Sequence, residues 1–374
     1  MIIKPRGLYV HIPFCVRKCN YCDFCSYSIS DVGLGAESAY VDALIEEIAS
    51  YKREEPISVD TVFFGGGTPS LLSVSSFEKI LSAIRQAFAI DCDAEITIEA
   101  NPGTLTEEKL RAYKSAGVNR LSIGLQSIHE NELKKLGRIH NYADFLEGYA
   151  LARKVGFENI SVDLMYGIPE QTVESFEKTL DEVIALSPEH ISAYGLIVEE
   201  GTPFFDNQES LSLPDEDTEC DMYELACKKL SLAGYMHYEI SNYARAERQS
   251  RHNLHYWRSD EYVGVGVSAH SYFEGCRFSN SRDFAKYAES FKSVASVHSS
   301  PSDTAFEYAM LALRLSEGLS LAEYEVRFLH SFTEGKEEKI RRYISLGYMK
   351  LSDGRLSLTE RGFYVSLAIL SDLL

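Results

Sequence analysis

Four of the chain's eight cysteines fall within eleven positions, at Cys15, Cys19, Cys22 and Cys25 in the run FCVRKCNYCDFCSY. A thiol fills a core no better than Ala or Val, so clustering of this kind points to chemistry. In Cys15-x3-Cys19-x2-Cys22, three thiolates on a short loop can converge on one face of a metal cluster. An iron–sulfur cluster held by three such ligands keeps one iron open to an exogenous chelator. Zinc is a rival, although structural zinc normally takes four ligands from two separated Cys-x2-Cys units. A disulfide is a second rival, disfavoured in a reducing compartment. Cys92, Cys220, Cys227 and Cys276 stand alone and read as packed thiols.

Further polar and glycine positions recur along the chain. FFGGGTPS supplies Gly65, Gly66, Gly67 and Thr68, where glycines let backbone groups approach a ligand closely; a plain tight turn is the competing reading. TIEANPGTL carries Glu99, LSIGLQSIHENELKKLGRIH carries Gln126 and Arg138, and SVDLMYGIPEQT carries Asp163. A guanidinium suits a carboxylate, and an aspartate suits hydroxyls or a polar supporting role. Each of these alone has a structural alternative, such as a helix cap or a solvated side chain.

These residues need positioning, and the first two-thirds of the chain supplies the means. Strand-like stretches at 7–13, 59–66, 94–100, 120–127, 160–167 and 190–198 alternate with helical patterns at 37–54, 75–89, 106–116, 141–156 and 172–186. Such alternation predicts βαβ units and a parallel sheet, in a barrel-like or doubly wound arrangement. Chemistry then belongs at the C-terminal ends of the strands. GGGTP, EANP, GLQS and DLMYGIP all fall at such ends. Residues 1–240 form this unit and 241–300 connect it, with a Gly-rich strand-like piece at 262–268. Residues 301–374 form a small α+β module, where amphipathic helices precede the hairpin-like MKLSDGRLSLT, as in a winged helix. The best linker is 292–303.

Composition adds exclusions. Lys and Arg number 37 against 56 Asp and Glu, a net charge of −19, which argues against nucleic acid as a partner. No run of eighteen apolar residues exists, so no integral membrane protein is expected. The N-terminus is broken by Pro5, Gly7 and Pro13 and lacks the features of a signal peptide, which leaves a cytoplasmic location as the default.

The Cys-x3-Cys-x-Tyr-Cys run after a first strand resembles the radical S-adenosylmethionine (SAM) superfamily, whose fold is a partial (β/α)6 barrel of the TIM type. The resemblance implies that Cys15, Cys19 and Cys22 bind a [4Fe–4S] cluster whose fourth iron is chelated by SAM. It further implies that Gly66, Gly67 and Thr68 receive the methionine amino group. Glu99, Gln126, Arg138 and Asp163, with the aromatic Tyr9 and Tyr21, are implied as SAM contacts. GGGTPS, GLQS, LGR-x-H and D-L-x-Y-G-x-P-x-Q-T, with YEISNYA and LRLSEGL, are similar to one branch, that of the oxygen-independent coproporphyrinogen III oxidases.

Two functions occur in that branch. The oxidase motif continues Cys-x3-Cys-x2-Cys-x-Cys after a longer N-terminal extension, whereas here Phe24 holds the last position and Cys25 follows one residue late. The other group, haem chaperones, is marked by H-N-x-x-Y-W, present as His252–Trp257 with the chain's only Trp. Imidazole ligates haem iron and flat rings pack on a porphyrin face. The competing reading is a helix end with packed aromatics. The expectation is therefore a haem chaperone with [4Fe–4S], SAM and haem as its cofactors, and an acceptor protein, in one version a membrane-bound haem protein, as its partner. A homodimer is admitted. His252 is the expected haem ligand, with His255 and His270 as alternatives, and Cys25 is expected to be a bystander.

Overall fold

Apolar runs buried on both faces, separated by capped helices, build one long sheet in the computed structural model, which describes residues 6–33, 35–289, 291, 295–297 and 301–374. The strands of this sheet are β1 (Arg6–Ile12), β2 (Ile57–Gly66), β3 (Phe88–Ala100), β4 (Arg120–Gln126), β5 (Ile160–Tyr166), β6 (His190–Gly195), β7 (Met236–Glu239), β8 (Asn242–Ala244), β9 (Tyr262–Val265), β10 (His270–Phe273), β11 (Cys276–Ser279) and β12 (Ala295–Val297). They form a twelve-stranded sheet in the order β12-β11-β10-β9-β1-β2-β3-β4-β5-β6-β8-β7. From β9 through β1 to β6 every pairing is parallel, and the strands outside that run pair antiparallel. This is the TIM-like partial barrel expected from the alternation, left open rather than closed.

Apart from the first, which opens on Gly35 with no side-chain cap, the connecting helices named here begin where the sequence supplies caps. α1 (Ala36–Ser50) is followed by α2 (Val74–Ala87), where Ser73 accepts from the Ser76 N–H and Phe77, Ile80, Leu81 and Ile84 form the buried stripe. α3 (Glu107–Ser115) is capped by Thr106, and α4 (Tyr142–Val155) opens on a reciprocal Asn141–Asp144 capping box and closes on left-handed Gly156. α5 (Val173–Leu186) repeats the box with Thr172 and Ser175. Strand and helix limits lie within a few residues of those read from the sequence, with two larger differences. Leu196–Val198 leave the sheet after Gly195, and β3 starts at Phe88, because Phe88, Ala89 and Ile90 also pair with Ile57, Ser58 and Val59 of β2.

A helix the pattern did not disclose, α6 (Glu216–Leu232), carries Met222, Tyr223, Ala226, Cys227 and Leu230 into the core. It bridges the last parallel strand to the antiparallel β7–β8 pair. The segment 241–300 does more than connect. It supplies β8 to one end of the sheet and β9 to β12 to the other, and HNLHYW forms the short helix α7 (Arg251–Trp257), capped by Ser250. The linker read at 292–303 lies largely outside the described residues. Beyond it, β13 (Leu319–Ser320), β14 (Met349–Ser352) and β15 (Arg355–Leu358) form a three-stranded antiparallel sheet in the order β13-β15-β14, with helices Leu321–Phe328 and Glu337–Ser345 beside it. This is the small α+β module. Its Met349, Leu356 and Leu358 join the same apolar core as the barrel.

Glu47 of α1 fastens the β9–β10 turn. It accepts from the Gly266 N–H at 2.8 Å and from Asn280 Nδ2 at 2.6 Å, and Tyr287 donates to it as well. Burial pushes its carboxyl above the ordinary range, and these three donors work against that push. Directly beside the turn, a Cβ on Gly264 would stand 2.1 Å from the backbone oxygen of His270, closer than any real contact. Gly264→Ala must therefore open the β9–β10 ladder. We expect it to lower unfolding stability by about 1–3 kcal/mol in chemical denaturation, a typical cost of overpacking.

Candidate functional site

At the C-terminal ends of the parallel strands lies a cavity of about 340 Å³. Its wall includes Cys15, Cys19, Tyr21, Cys22, Gly66, Gly67, Thr68, Glu99, Gln126, Arg138 and Asp163. Eleven of the thirteen residues expected as cluster, SAM or haem contacts therefore meet at one place. The other two, Tyr9 and His252, line a second cavity of about 730 Å³.

The cysteine loop is locked in place by backbone contacts. Gly67 donates its N–H to the Ile12 carbonyl at 2.8 Å, and Thr68 donates to that of Phe14 at 2.8 Å. A Cβ on Gly67 would lie 2.7 Å from the Phe14 oxygen and 3.1 Å from Cys15 Sγ, so the glycine is required by the close approach. Across the loop, Arg17 donates to the Gly137 carbonyl at 2.7 Å and Asn20 Nδ2 to that of Lys135 at 2.8 Å. Gly137, at φ 77°, abuts Asn20, which gives the LGR motif a docking role beside whatever Arg138 does.

Polar side chains then converge on the interior. Arg138 donates to Asn101 Oδ1 at 2.6 Å and to the Gly124 carbonyl at 2.5 Å, and its Nη1 lies 3.7 Å from Cys19 Sγ. Its buried Nε has no partner among the described residues. Thr68 Oγ1 lies 3.6 Å from Cys15 Sγ and accepts from Asn101 Nδ2 at 2.8 Å. Asp163 accepts from Ser192 Oγ at 2.8 Å, Ser122 Oγ at 3.0 Å and Ser161 Oγ at 3.2 Å. Gln126 accepts from Tyr194 OH at 3.2 Å and holds φ at 71°, a left-handed position uncommon outside glycine, where β4 bulges against β5. Asn101, Ser122 and Tyr194 were not singled out from the sequence. Ser122 was within reach, since it alternates with Gly124 and Gln126 on one face of β4.

Charge is scarce here. Burial, reinforced by the Asp163 carboxyl, pushes Glu99 up to about 8, although the Gly66 N–H donates to it at 3.1 Å. Burial pushes the Cys22 thiol up to about 11 and raises that of Cys15. Free of metal, these two thiols are protonated at neutral pH, so metal binding must expel protons.

Among the described residues, no three His, Cys, Asp or Glu side chains converge on a point suited to a single ion. In a [4Fe–4S] cluster each thiolate takes a different iron, so its ligands stand apart around a volume. Three free cysteines on the wall of one cavity fit that demand. The rest of the wall, with a buried guanidinium that has an unused donor, backbone amides at a glycine turn and an aspartate aimed inward, fits a zwitterionic ligand with hydroxyls.

The second cavity opens beside β1 and β9. Asp23, Phe24, Gly66 and Glu99 belong to both cavities and form the partition between them. Its own wall adds Tyr9, His11, Cys25, Phe63, Tyr256, Trp257, Tyr262, His270 and Arg282. Tyr9 accordingly sits behind the partition, bonded to His11 Nδ1 at 3.0 Å, and not in the cysteine cavity. His252 Nδ1 lies 2.8 Å from Thr61 Oγ1 and its Nε2 lies 2.8 Å from Tyr256 OH. Burial, with the charge of His255 nearby, lowers its pKa to about 3. His255 is held by Asp60 at 2.7 Å. Burial opposes its charge, but Asp60 and Asp260 outweigh it and keep its pKa at about 9.

Comparison with known proteins agrees with this geometry. The profile of the Radical SAM superfamily matches residues 9–183, and that of the HemN C-terminal domain matches residues 300–365. The fold is that of the coproporphyrinogen III oxidase of Escherichia coli, a radical SAM enzyme, with a TM-score of 0.83 and 23% identity over 99% of this chain and 90% of that one. A protein of Lactococcus lactis described as heme chaperone HemW is 35% identical over 97% of this chain and 96% of its own length. Its counterpart in Escherichia coli, with the same description, is 36% identical over 96% of both chains. The chain belongs to this heme chaperone HemW family within the radical SAM superfamily.

The position of Glu99 has a measurable consequence. The fold favours its neutral form, so its contribution to stability is full below an unfolded pKa near 4.5 and is lost as pH rises through about 8. In chemical denaturation between pH 5 and pH 9, Glu99→Gln is expected to lose less stability than the parent. Equal slopes would mean that Glu99 is already charged at neutral pH.

Proposed function

We propose that the chain is a haem chaperone that binds haem in the second cavity and passes it to an acceptor protein. The observation that carries this is the cavity of about 730 Å³ walled by the HNLHYW helix, within the roughly 300–1,000 Å³ usual for ligand sites. Its Tyr, Phe and Trp faces offer the flat apolar surface a porphyrin needs. The near full-length likeness to proteins described as heme chaperones supports the same reading.

On this reading Cys15, Cys19 and Cys22 hold a [4Fe–4S] cluster, and Gly66, Gly67, Thr68, Glu99, Gln126, Arg138, Asp163 and Tyr21 hold SAM. When bound, the cluster and SAM together supply one-electron chemistry or a fixed structural anchor. Arg138 serves as counter-charge to the Cys19 thiolate and to a carboxylate. Asp163, already satisfied by three serines, offers its remaining lone pairs to hydroxyls. Cys25, whose sulfur faces Tyr27 and the Arg282 carbonyl, stays outside the ligand set. The work is done in the cytoplasm. No helix among the described residues is long and apolar enough to cross a membrane, so an acceptor in the membrane is met from outside it. A homodimer formed on cluster binding belongs to this reading as well.

The oxidase reading, favoured by the shared fold, assigns turnover to the same cluster cavity. Anaerobic incubation of cluster-loaded protein with coproporphyrinogen III, SAM and a reductant separates the two. We expect no protoporphyrinogen at catalytic rates, and we expect transfer of bound haem to an apo-haem protein. Iron analysis after anaerobic reconstitution should give near-zero cluster iron for Cys15→Ser, Cys19→Ser and Cys22→Ser. Cys25→Ser should keep the full complement, and an equal loss there would overturn the assignment of three ligands.

A further inference from the structure

Haem needs an iron ligand as well as a flat wall, and the second cavity offers three imidazoles, those of His11, His252 and His270. Two are already committed. His11 has Nδ1 at 3.0 Å from Tyr9 OH and Nε2 at 2.7 Å from the Cys25 carbonyl oxygen. His252, the leading residue of HNLHYW, has Thr61 on one nitrogen and Tyr256 on the other, each at 2.8 Å. Ligation by either ring would break a buried bond and strand its partner in the core. His252 ties α7 to β2, and in this it works as a packed histidine.

His270 differs on every count. It begins β10 as that strand's one exposed residue, and neither ring nitrogen has a hydrogen-bond partner among the described residues. Its backbone is nevertheless rigid. It pairs with Ser279 across the ladder, and the preceding turn hangs from Glu47 through the Gly266 N–H and Asn280. A fixed backbone under an uncommitted side chain is what a ligand position requires. Partial burial of the ring, with the positive charges of Arg282 and Arg277, favours its neutral, iron-binding form. That guanidinium borders the same cavity, and no carboxylate among the described residues pairs with it. Phe24, 63% exposed, and Trp257 stand on the same wall.

Resting on the haem-chaperone reading, we propose that His270 is the residue that ligates haem iron in the second cavity, and that Arg282 receives a haem propionate. The bond is a neutral imidazole nitrogen donating its lone pair to ferric iron, with no change in oxidation state.

The test is a haemin titration of the full-length protein, read by the Soret band and by quenching of Trp257, the chain's only tryptophan. The parent should quench stoichiometrically and show an imidazole-ligated ferric spectrum. His270→Ala should bind at least about tenfold more weakly, the lower end of what disturbing a metal's surroundings usually costs. It should also lose that spectrum, and added imidazole should restore it. Thermal melting of His270→Ala and of His270→Gln checks that the fold survives. Arg282→Ala should weaken haemin binding severalfold and leave binding of haemin dimethyl ester, which lacks the carboxylates, unaltered. Parental affinity and spectrum in His270→Ala would overturn the ligand assignment and leave the haem-binding reading standing. Loss of the spectrum in His252→Gln or Cys25→Ser, with His270→Ala unaffected, would do the same. A parent that neither quenches nor develops a Soret band would remove both.

Discussion

The cysteine loop rests on the end of β2 through two backbone hydrogen bonds, at a place with no room for a side chain. Gly67 and Thr68 donate to Ile12 and Phe14, and a Cβ at Gly67 would press on the Phe14 oxygen and on Cys15. Everything else about the site follows from that contact. It fixes the height of Cys15 above the sheet and turns Gly66 so that its N–H meets Glu99. It also leaves the loop's far side to be gripped by Arg17, Asn20 and the Leu136–Arg138 segment. The parallel strands supply rigid ends, and the glycines let two of those ends touch.

The same contact divides the opening of the barrel in two. On one side stand the three thiols with Arg138, Asp163 and Gln126. On the other stand rings, and His270, whose ring has no hydrogen-bond partner among the described residues. A polar, serine-lined chamber and an aromatic one are thus separated by little more than Asp23, Phe24, Gly66 and Glu99. Open-sheet architecture permits this, because β9 joins β1 from a late part of the chain and brings α7, β10 and the 266–269 turn to the edge where a closed barrel would have further strands.

Much of this is legible in the amino-acid sequence. Parallel strands buried on both faces read as apolar runs, and Thr106, Asn141 and Thr172 announce their helices by side-chain caps. Residues whose role is set by strand-end position, such as Gly67, Glu99 and Asp163, were therefore found together. The residues that sequence misplaces depend on direction and on partners far away in the chain. Tyr9 lies six positions before Cys15, yet spacing does not say on which side of the partition its ring falls. His252 carries the chemistry of a ligand, and its ring is taken by Thr61, 191 residues away, on one nitrogen and by Tyr256 on the other. α6 hid behind an acidic first turn and an apolar stripe diluted by Lys228 and Lys229. β7, β8 and β10 to β12 are short antiparallel pieces, and two-residue periodicity over three or four positions carries little signal.

Glu99 belongs to both chambers, and this makes it a shared reporter. A ligand seated on either side would change the water around one carboxyl, and with it the cost of charging that group. Linkage requires such an effect to run in both directions with equal free energy. Any change in the protonation of Glu99 brought about from the cysteine chamber would therefore be felt in the aromatic one, and the reverse.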